Sequence, residues 1–139
     1  VRIDESMREE CLQLYLTWLE HKDVFVPGVL GELEAIRALL TNMSALNVVA
    51  GGLKVDGRLA AYAVGERMLP DMALVHIEKA DPAIPGLYAM INQQFVEHEW
   101  QDVPFINREE DMGLEGLRRS KLSYNPVRMI EKYEAVKQP

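Results

Sequence analysis

The fold is decided by residues 47–81, which read NVVAGGLKVDGRLAAYAVGERMLPDMALVHIEKAD. Asp56-Gly57 stands between two apolar stretches, Asn47–Val55 and Arg58–Glu66. This dipeptide is typical of a type I′ turn, because both central positions of that turn require a positive φ. The segment therefore predicts two antiparallel strands joined as a hairpin.

A third strand is predicted over Met72–Lys79, directly after the hairpin. Successive side chains of a strand point to opposite faces of the sheet. An unbroken alternation places Leu74, His76 and Glu78 on one face and Ala73, Val75 and Ile77 on the other. The third strand thus carries its polar residues on one face.

Apolar residues at helical spacing surround these strands. The predicted helices are 4–20, 31–43, 87–99 and 114–122, a short strand is predicted over 103–107, and 127–136 fits either a strand or a helix. A hairpin followed by a β-α-β-α unit is typical of a mixed sheet with helices packed on it. We expect one α/β domain over residues 1–139, with a mostly antiparallel mixed sheet flanked by helices.

Composition excludes several classes of protein. The formal charge of −7, from 22 acidic and 15 basic residues, argues against a general nucleic-acid surface, so no DNA partner is expected. No apolar run approaches the roughly 20 residues that span a bilayer. Cys11 is the one cysteine, which fits a reducing, cytoplasmic location. The sequence lacks a Cys/His cluster and the GxGxxG, GxxxxGK[ST] and GxSxG patterns, so no metal is expected and no nucleotide or serine-hydrolase signal is present.

Two predicted strands end in polar clusters, Glu78-Lys79-Ala80-Asp81 and 107–111, which reads NREED. Ligands of open α/β sheets gather beyond the carboxyl ends of parallel strands. If these two strands are parallel neighbours, their polar ends meet at one edge of the sheet. That edge is the predicted functional site.

Each polar residue there has a functional and a structural interpretation. Glu78 with Lys79 is either a catalytic acid/base with its modulator or an ion pair at the strand end. Asn107 either binds a ligand's amide groups or forms an Asx-turn. Glu109 and Asp111 either bind a cation or amino group or cap a helix.

Further candidates lie on the two predicted helices after the third strand. Asn92 hydrogen-bonds either the neighbouring strand or a ligand. Arg118, Arg119 and Lys121 form either a phosphate-binding patch or a solvated basic face. Tyr124 either donates a proton or covers the core.

Three stretches together carry a family resemblance: VHIEKAD at 75–81, YAMINQQF at 88–95 and FINREEDMG at 105–113, the last continuing as GLRRSKLSYNP at 116–126. Over residues 45–139 the sequence resembles a bacterial family that shares its domain with the C-terminal part of phosphatidylglycerol lysyltransferase. The resemblance implies a GNAT-like (acyl-CoA N-acyltransferase) fold. It also implies that the chain is the second of two lobes, partnered by an N-terminal lobe, which agrees with the missing initiator Met.

The implied activity is transfer of an acyl or aminoacyl group to an amine or hydroxyl, with a small molecule or a lipid as acceptor. Acyl-CoA or aminoacyl-tRNA is the implied donor. Motif positions imply Glu78 as base, Tyr124 as acid, and Asn107, Arg118, Arg119 and Lys121 as the donor-binding set. The implied substrate-binding set is Lys79, Asn92, Arg108, Glu109 and Asp111. A non-catalytic binding lobe with the same fold is the alternative.

The sequence departs from the GNAT pattern in the loop Asp81–Gly86. Such enzymes hold the donor's pyrophosphate at a helix N-terminus that follows a glycine-rich loop. Here that loop contains one glycine, Gly86, and two prolines. Pro85 removes an N–H donor where several are needed, so a donor other than acyl-CoA, or loss of activity, is the expectation from this loop.

Overall fold

The computed structural model describes residues 1–22 and 28–138. Two compact units divide the chain, Val1–Glu109 and the residues from Glu110 onward. Among the described residues, the first unit contains the sheet and three α-helices, and the second contains one α-helix.

The helices of the first unit are α1 (Arg8–Glu20), which follows a short 3-10 turn, α2 (Val29–Thr41) and α3 (Leu87–Glu99). Its strands are β1 (Val48–Val55), β2 (Arg58–Leu69), β3 (Met72–Ala80) and β4 (Phe105–Asn107). They form one sheet in the order β1-β2-β3-β4, antiparallel except for the parallel pair β3–β4. The predicted mixed α/β sheet flanked by helices is confirmed.

The hairpin turn and most of the predicted bounds agree with the structure. Asp56 and Gly57 have φ values of 49° and 78°, as a type I′ turn requires. The third predicted helix is reproduced residue for residue. The last strand of the sheet begins at Phe105 and is therefore two residues shorter than predicted. Val103 lies before this strand and is buried.

Two apolar clusters lie on opposite faces of the sheet. Tyr62 and Val64 of β2 pack with α1 and α2, whereas Ala61 and Ala63 pack with α3. Alternate residues of β2 therefore face alternate clusters, as a strand buried on both faces requires. Cys11 is fully buried within the cluster formed with α1 and α2, and this burial raises the pKa of its thiol to about 12.

A β-bulge at His76 changes the faces of β3. Val64 pairs with Ile77 and Gly65 pairs with Val75, so His76 is the extra residue. Val75 packs in the α3 cluster, but Ile77 packs against the α1–α2 cluster. The prediction that Ile77 shares a face with Val75 was therefore wrong, since the bulge shifts the alternation by one residue.

The second unit contains α4 (Glu115–Leu122) and no strand among its described residues. Residues 127–136 form neither the strand nor the helix that their sequence allowed. This segment is also rich in exposed apolar side chains, including Val127 and Tyr133, which are 88% and 85% exposed.

A test of the close approach between β2 and β3 uses Gly65→Ala. The added Cβ would lie 2.5 Å from the backbone oxygen of Leu74, so the strands must move apart. We expect a loss of roughly 1–3 kcal/mol in the free energy of unfolding, measured by urea denaturation. Gly31→Ala in α2 is the control, because its Cβ meets nothing within 4 Å and should stabilise the helix by roughly 0.5–1 kcal/mol. Equal stability of the two variants would contradict the close contact.

Candidate functional site

The parallel strands β3 and β4 pair over three residues only. Their last pair is Leu74 with Asn107, after which β4 ends and β3 continues to Ala80. The polar ends of the two strands are therefore not level, because Asn107 lies beside Leu74 and Glu78 lies further along β3. Side chains after β4 span this difference.

Glu78 is the centre of a partly buried polar cluster on the α3 face. Its carboxylate accepts a hydrogen bond from Asn92 Nδ2 of α3 at 2.6 Å and one from Arg108 Nη2 at 2.5 Å. The side chains of Glu78 and Arg108 are 12% and 20% exposed. The cluster joins β3, α3 and the segment after β4, and it gives Asn92 the strand contact that was one of its two interpretations.

His76 lies between two carboxylates. Its Nε2 is 2.9 Å from Glu66 Oε1 of β2, and its Nδ1 is 2.8 Å from Glu109 Oε1. Sequence reasoning found neither partner of His76, because a bulge leaves no signal in an alternating pattern and Glu66 has no motif around it. The two pairs make His76 a second link between β3 and the end of β4.

Asn107 sets the geometry of the residues that reach these partners. Its Oδ1 accepts a hydrogen bond from the backbone N–H of Glu109 at 2.8 Å, which is an Asx-turn. Glu109 has a φ of 58°, in the left-handed region. Arg108 and Glu109 are consecutive residues, yet one binds Glu78 and the other binds His76.

Lys79 points to the opposite face of the sheet from Glu78. Its Nζ donates to Glu32 Oε1 of α2 at 2.8 Å and lies 3.8 Å from the centre of the Trp18 ring. Tyr15 donates its hydroxyl hydrogen to Glu32 Oε2 at 2.9 Å, which holds the carboxylate in place. Lys79 is 7% exposed, and this burial lowers the pKa of its ammonium group although Glu32 opposes the shift. Glu78 and Lys79 are thus not an ion pair with each other.

The loop Asp81–Gly86 has few free N–H groups. The N–H of Asp81 donates to Ala60 O, and those of Ala83 and Ile84 donate to the side chain and the backbone oxygen of Asp81. Pro82 and Pro85 have no N–H. The loop also carries the Asp81 carboxylate, so it is poorly suited to hold a pyrophosphate.

The remaining candidates lie in the second unit, and four of them have contacts inside it. Arg118 Nε is 2.5 Å from Asp111 Oδ2, and this contact lowers the pKa of Asp111. Lys121 Nζ donates to Glu110 O at 2.7 Å, while Arg119 pairs with Glu115 on its own helix. Asp111 also accepts from Gly113 N ahead of α4. Tyr124 is 44% exposed.

Within the described ranges 1–22 and 28–138, no three His, Cys, Asp or Glu side chains are arranged to hold a metal ion. No helix in the same ranges has the length and apolar character needed to cross a bilayer.

Sequence comparison assigns the chain to a family. The profile of the family described as "Phosphatidylglycerol lysyltransferase, C-terminal" matches residues 1–136. The chain belongs to this family. Comparison with curated protein sequences gave no significant match.

Solved structures confirm the GNAT-like fold. A conserved protein of unknown function from Bacteroides thetaiotaomicron is 37% identical with a TM-score of 0.83, and the match covers 93% of this chain and 44% of that one. A ribosomal-protein-alanine N-acetyltransferase from Brucella melitensis is 12% identical with a TM-score of 0.66, covering 99% and 98% of the two chains. The PaiA N-acetyltransferase from Thermoplasma acidophilum, in complex with coenzyme A, is 10% identical with a TM-score of 0.52, covering 70% and 68%.

This chain therefore spans less than half the length of the Bacteroides protein. The two acetyltransferases share its fold at low sequence identity, whereas the Bacteroides protein is similar to it in both sequence and fold.

The Glu78 cluster predicts a stability effect. Glu78→Gln keeps the size of the side chain but removes the charge that faces the Arg108 guanidinium, in a place that is largely shielded from water. We expect a loss of roughly 1–3 kcal/mol in the free energy of unfolding, measured by urea denaturation. The control Glu97→Gln changes an exposed carboxylate of α3 that contacts Gln93 and Gln94, and should stay within about 0.5 kcal/mol of the parent protein. A Glu78→Gln effect no larger than the control's would argue against the ion pair.

The lowered pKa of Lys79 predicts a dependence of stability on pH. Its usual pKa is 10.5, so just below that value the unfolded chain binds more protons at this site than the folded chain. The contribution of Lys79 to stability therefore rises with pH in this range. We subtract the unfolding free energy of Lys79→Met from that of the parent protein. This difference should become more positive from about pH 8 to about pH 10.

Lys54→Met is the control for that experiment, since the Lys54 side chain is 36% exposed and its nearest acidic partner, Glu10, is 4.0 Å away. Its difference from the parent protein should stay constant across the same pH range. A constant difference for Lys79→Met as well would contradict the effect of burial.

Proposed function

We propose that this chain is an acyl- or aminoacyl-transfer domain, which moves an acyl group to an amine or hydroxyl acceptor. Its family and its GNAT-like fold support this activity. The observation that carries the proposal is the polar cluster beyond the end of β4. The pairing of β3 with β4 ends at Leu74 and Asn107, and the side chains of Glu78 and Arg108 meet further along β3.

In the proposed reaction the acceptor's nitrogen or oxygen attacks the carbonyl carbon of the donor. A bond forms between the acceptor and that carbon, the bond to the leaving group breaks, and the acceptor's proton passes to Glu78. Tyr124 returns a proton to the leaving thiolate or alkoxide. Asn92 and Arg108 orient the Glu78 carboxylate through the hydrogen bonds described above.

The other motif residues supply binding in this proposal. Asn107, Arg118, Arg119 and Lys121 hold the donor, whereas Glu109 and Asp111 join Asn92 and Arg108 in holding the substrate. Lys79 has no part in this set, because it is buried on the other face of the sheet and bonded to Glu32. The domain acts as the second lobe of a longer protein, beside an N-terminal lobe, because the Bacteroides relative is more than twice as long as the matched part.

The loop Asp81–Gly86 favours an aminoacyl donor over acyl-CoA. Coenzyme A carries a pyrophosphate, which N–H groups at a helix N-terminus stabilise. In this loop two residues are prolines without an N–H, three other N–H groups are already bonded, and the Asp81 carboxylate adds repulsion. An aminoacyl ester presents no pyrophosphate to this loop.

A non-catalytic lobe is the second candidate, and one observation favours it. The polar residues of β3 are bonded to one another: Glu78 to Asn92 and Arg108, and His76 to Glu66 and Glu109. Such a network also stabilises a fold without any chemistry.

Transfer assays separate the two candidates. Acetyl-CoA and a lysyl-tRNA are each offered with a panel of primary amines, hydroxyl compounds and phosphatidylglycerol vesicles. We expect transfer from the aminoacyl donor and a fall of about 100-fold or more in Glu78→Gln, as for loss of a general base. Glu97→Gln should keep the parent rate.

Donor binding is measured in parallel as a shift of the melting temperature, since a ligand of the folded state stabilises it by mass action. Full transfer by Glu78→Gln would remove Glu78 from the mechanism. If neither donor gives transfer and neither raises the melting temperature, the result favours the non-catalytic lobe.

A further inference from the structure

The two residues after Asn107 hold β3 from both of its faces. Arg108 reaches Glu78, which lies on the α3 face with Asn92, and Glu109 reaches His76. His76 in turn contacts Glu66, whose strand neighbour Gly65 faces Phe95 of α3. Since neighbouring residues of a strand face opposite sides, Glu66 and His76 lie on the face away from α3.

The partners of His76 select one form of its ring. Both ring nitrogens lie within 3 Å of a carboxylate oxygen, at 2.9 Å and 2.8 Å. A carboxylate accepts hydrogen bonds and donates none, so both nitrogens must carry hydrogen to satisfy both contacts. Only the imidazolium form of His76 does so.

We propose that His76 is a positioning residue whose imidazolium holds Glu109, and through it Arg108, in place on Glu78. The geometry of the candidate site then depends on the proton of His76. Its consequence for catalysis rests on the proposed function of Glu78, whereas the coupling between His76 and Arg108 does not.

The turn at Asn107 connects the position of Glu109 to that of Arg108 through the backbone. Asn107 Oδ1 binds the N–H of Glu109, and Glu109 is held at a φ of 58°. One peptide unit separates the two side chains that bind β3. A shift of Glu109 away from His76 therefore reorients this unit and moves the base of the Arg108 side chain. The bulge contributes as well, because His76 is the residue that it adds to β3.

The direction of the pH dependence follows from the charges around the ring. The groups placed against His76 are the carboxylates of Glu66 from β2 and Glu109 after β4. When His76 loses its proton, one ring nitrogen presents a lone pair to a carboxylate, and that contact becomes repulsive. Glu109 follows the last strand and Glu66 lies within β2, so the contact to Glu109 is the one that opens. The link is therefore present while both ring nitrogens carry hydrogen and is lost when one of them gives its proton up.

A shared metal ion does not explain this cluster. The two carboxylates approach opposite nitrogens of one ring, so they do not converge on a single position. Among the described residues, no set of three such groups has a metal-binding arrangement.

Nuclear magnetic resonance tests the proposal on the folded chain without any donor or acceptor. The titration of each imidazole is followed together with rotation about the Nε–Cζ bond of Arg108, which is slow while its ion pair holds. As pH is raised, we expect this rotation to become about threefold faster or more once the imidazole of His76 has lost its proton. In Glu109→Gln, which leaves the sequence of β3 unchanged, rotation should be fast at every pH.

His76→Gln should likewise remove the pH dependence of Arg108. His98→Gln is its matched control, because His98 bonds only to the carbonyl of Gln94 on its own helix, and it should leave Arg108 unchanged. Arg119, which pairs with Glu115 on α4, serves as the reference arginine. If His76→Gln does not fold, Glu109→Gln is the variant that decides the test.

The proposal would be overturned if the rate of rotation about the Nε–Cζ bond of Arg108 did not change with pH, or if it were the same in Glu109→Gln as in the parent protein. The result also separates it from the transfer hypothesis. An Arg108 response without any transfer activity would support the positioning role of His76 and count against catalysis, whereas transfer without an Arg108 response would do the reverse.

Discussion

The ion pair between Glu78 and Arg108 joins β3 to the chain after β4 at the place where these parallel strands stop exchanging backbone hydrogen bonds. Without it, the end of β4 would be joined to β3 by three paired residues and by the contact between His76 and Glu109. Asn92 completes the link from α3. Because the pair is largely shielded from water, each charge depends on the other, and removal of one partner leaves the second without compensation.

The bulge at His76 determines which residues join this link. It turns Ile77 and Lys79 toward α1 and α2 and leaves Glu78 facing α3. Two consecutive charged residues thereby enter two separate environments. Glu78 meets a cation and an amide, while the ammonium of Lys79 is enclosed by Trp18, Tyr15 and Glu32. Aromatic faces and a carboxylate together compensate much of the cost of burying that ammonium.

The family and the local chemistry give complementary information about function. The fold is that of N-acetyltransferases, and the family is named for the C-terminal part of a lysyltransferase. The loop Asp81–Gly86 differs from what a pyrophosphate needs, because its two prolines have no N–H and the N–H groups of Asp81, Ala83 and Ile84 are bonded to Ala60 and Asp81. This altered loop on an intact fold is the structural basis for the proposed aminoacyl donor.

The sequence by itself determined the hairpin at Asp56-Gly57, the third helix of the first unit and the mixed α/β class, because turn chemistry and hydrophobic periodicity are local properties. It also determined that polar residues follow β3 and β4. Only the tertiary structure decided how these residues pair. The face of Glu78 depends on a bulge that alternation cannot reveal, the partners of His76 lie 10 and 33 positions away in the chain, and the offset of β4 along β3 arises from strand pairing. Long-range pairing of this kind depends on how the strands and helices pack, and a single sequence does not encode it in any one segment.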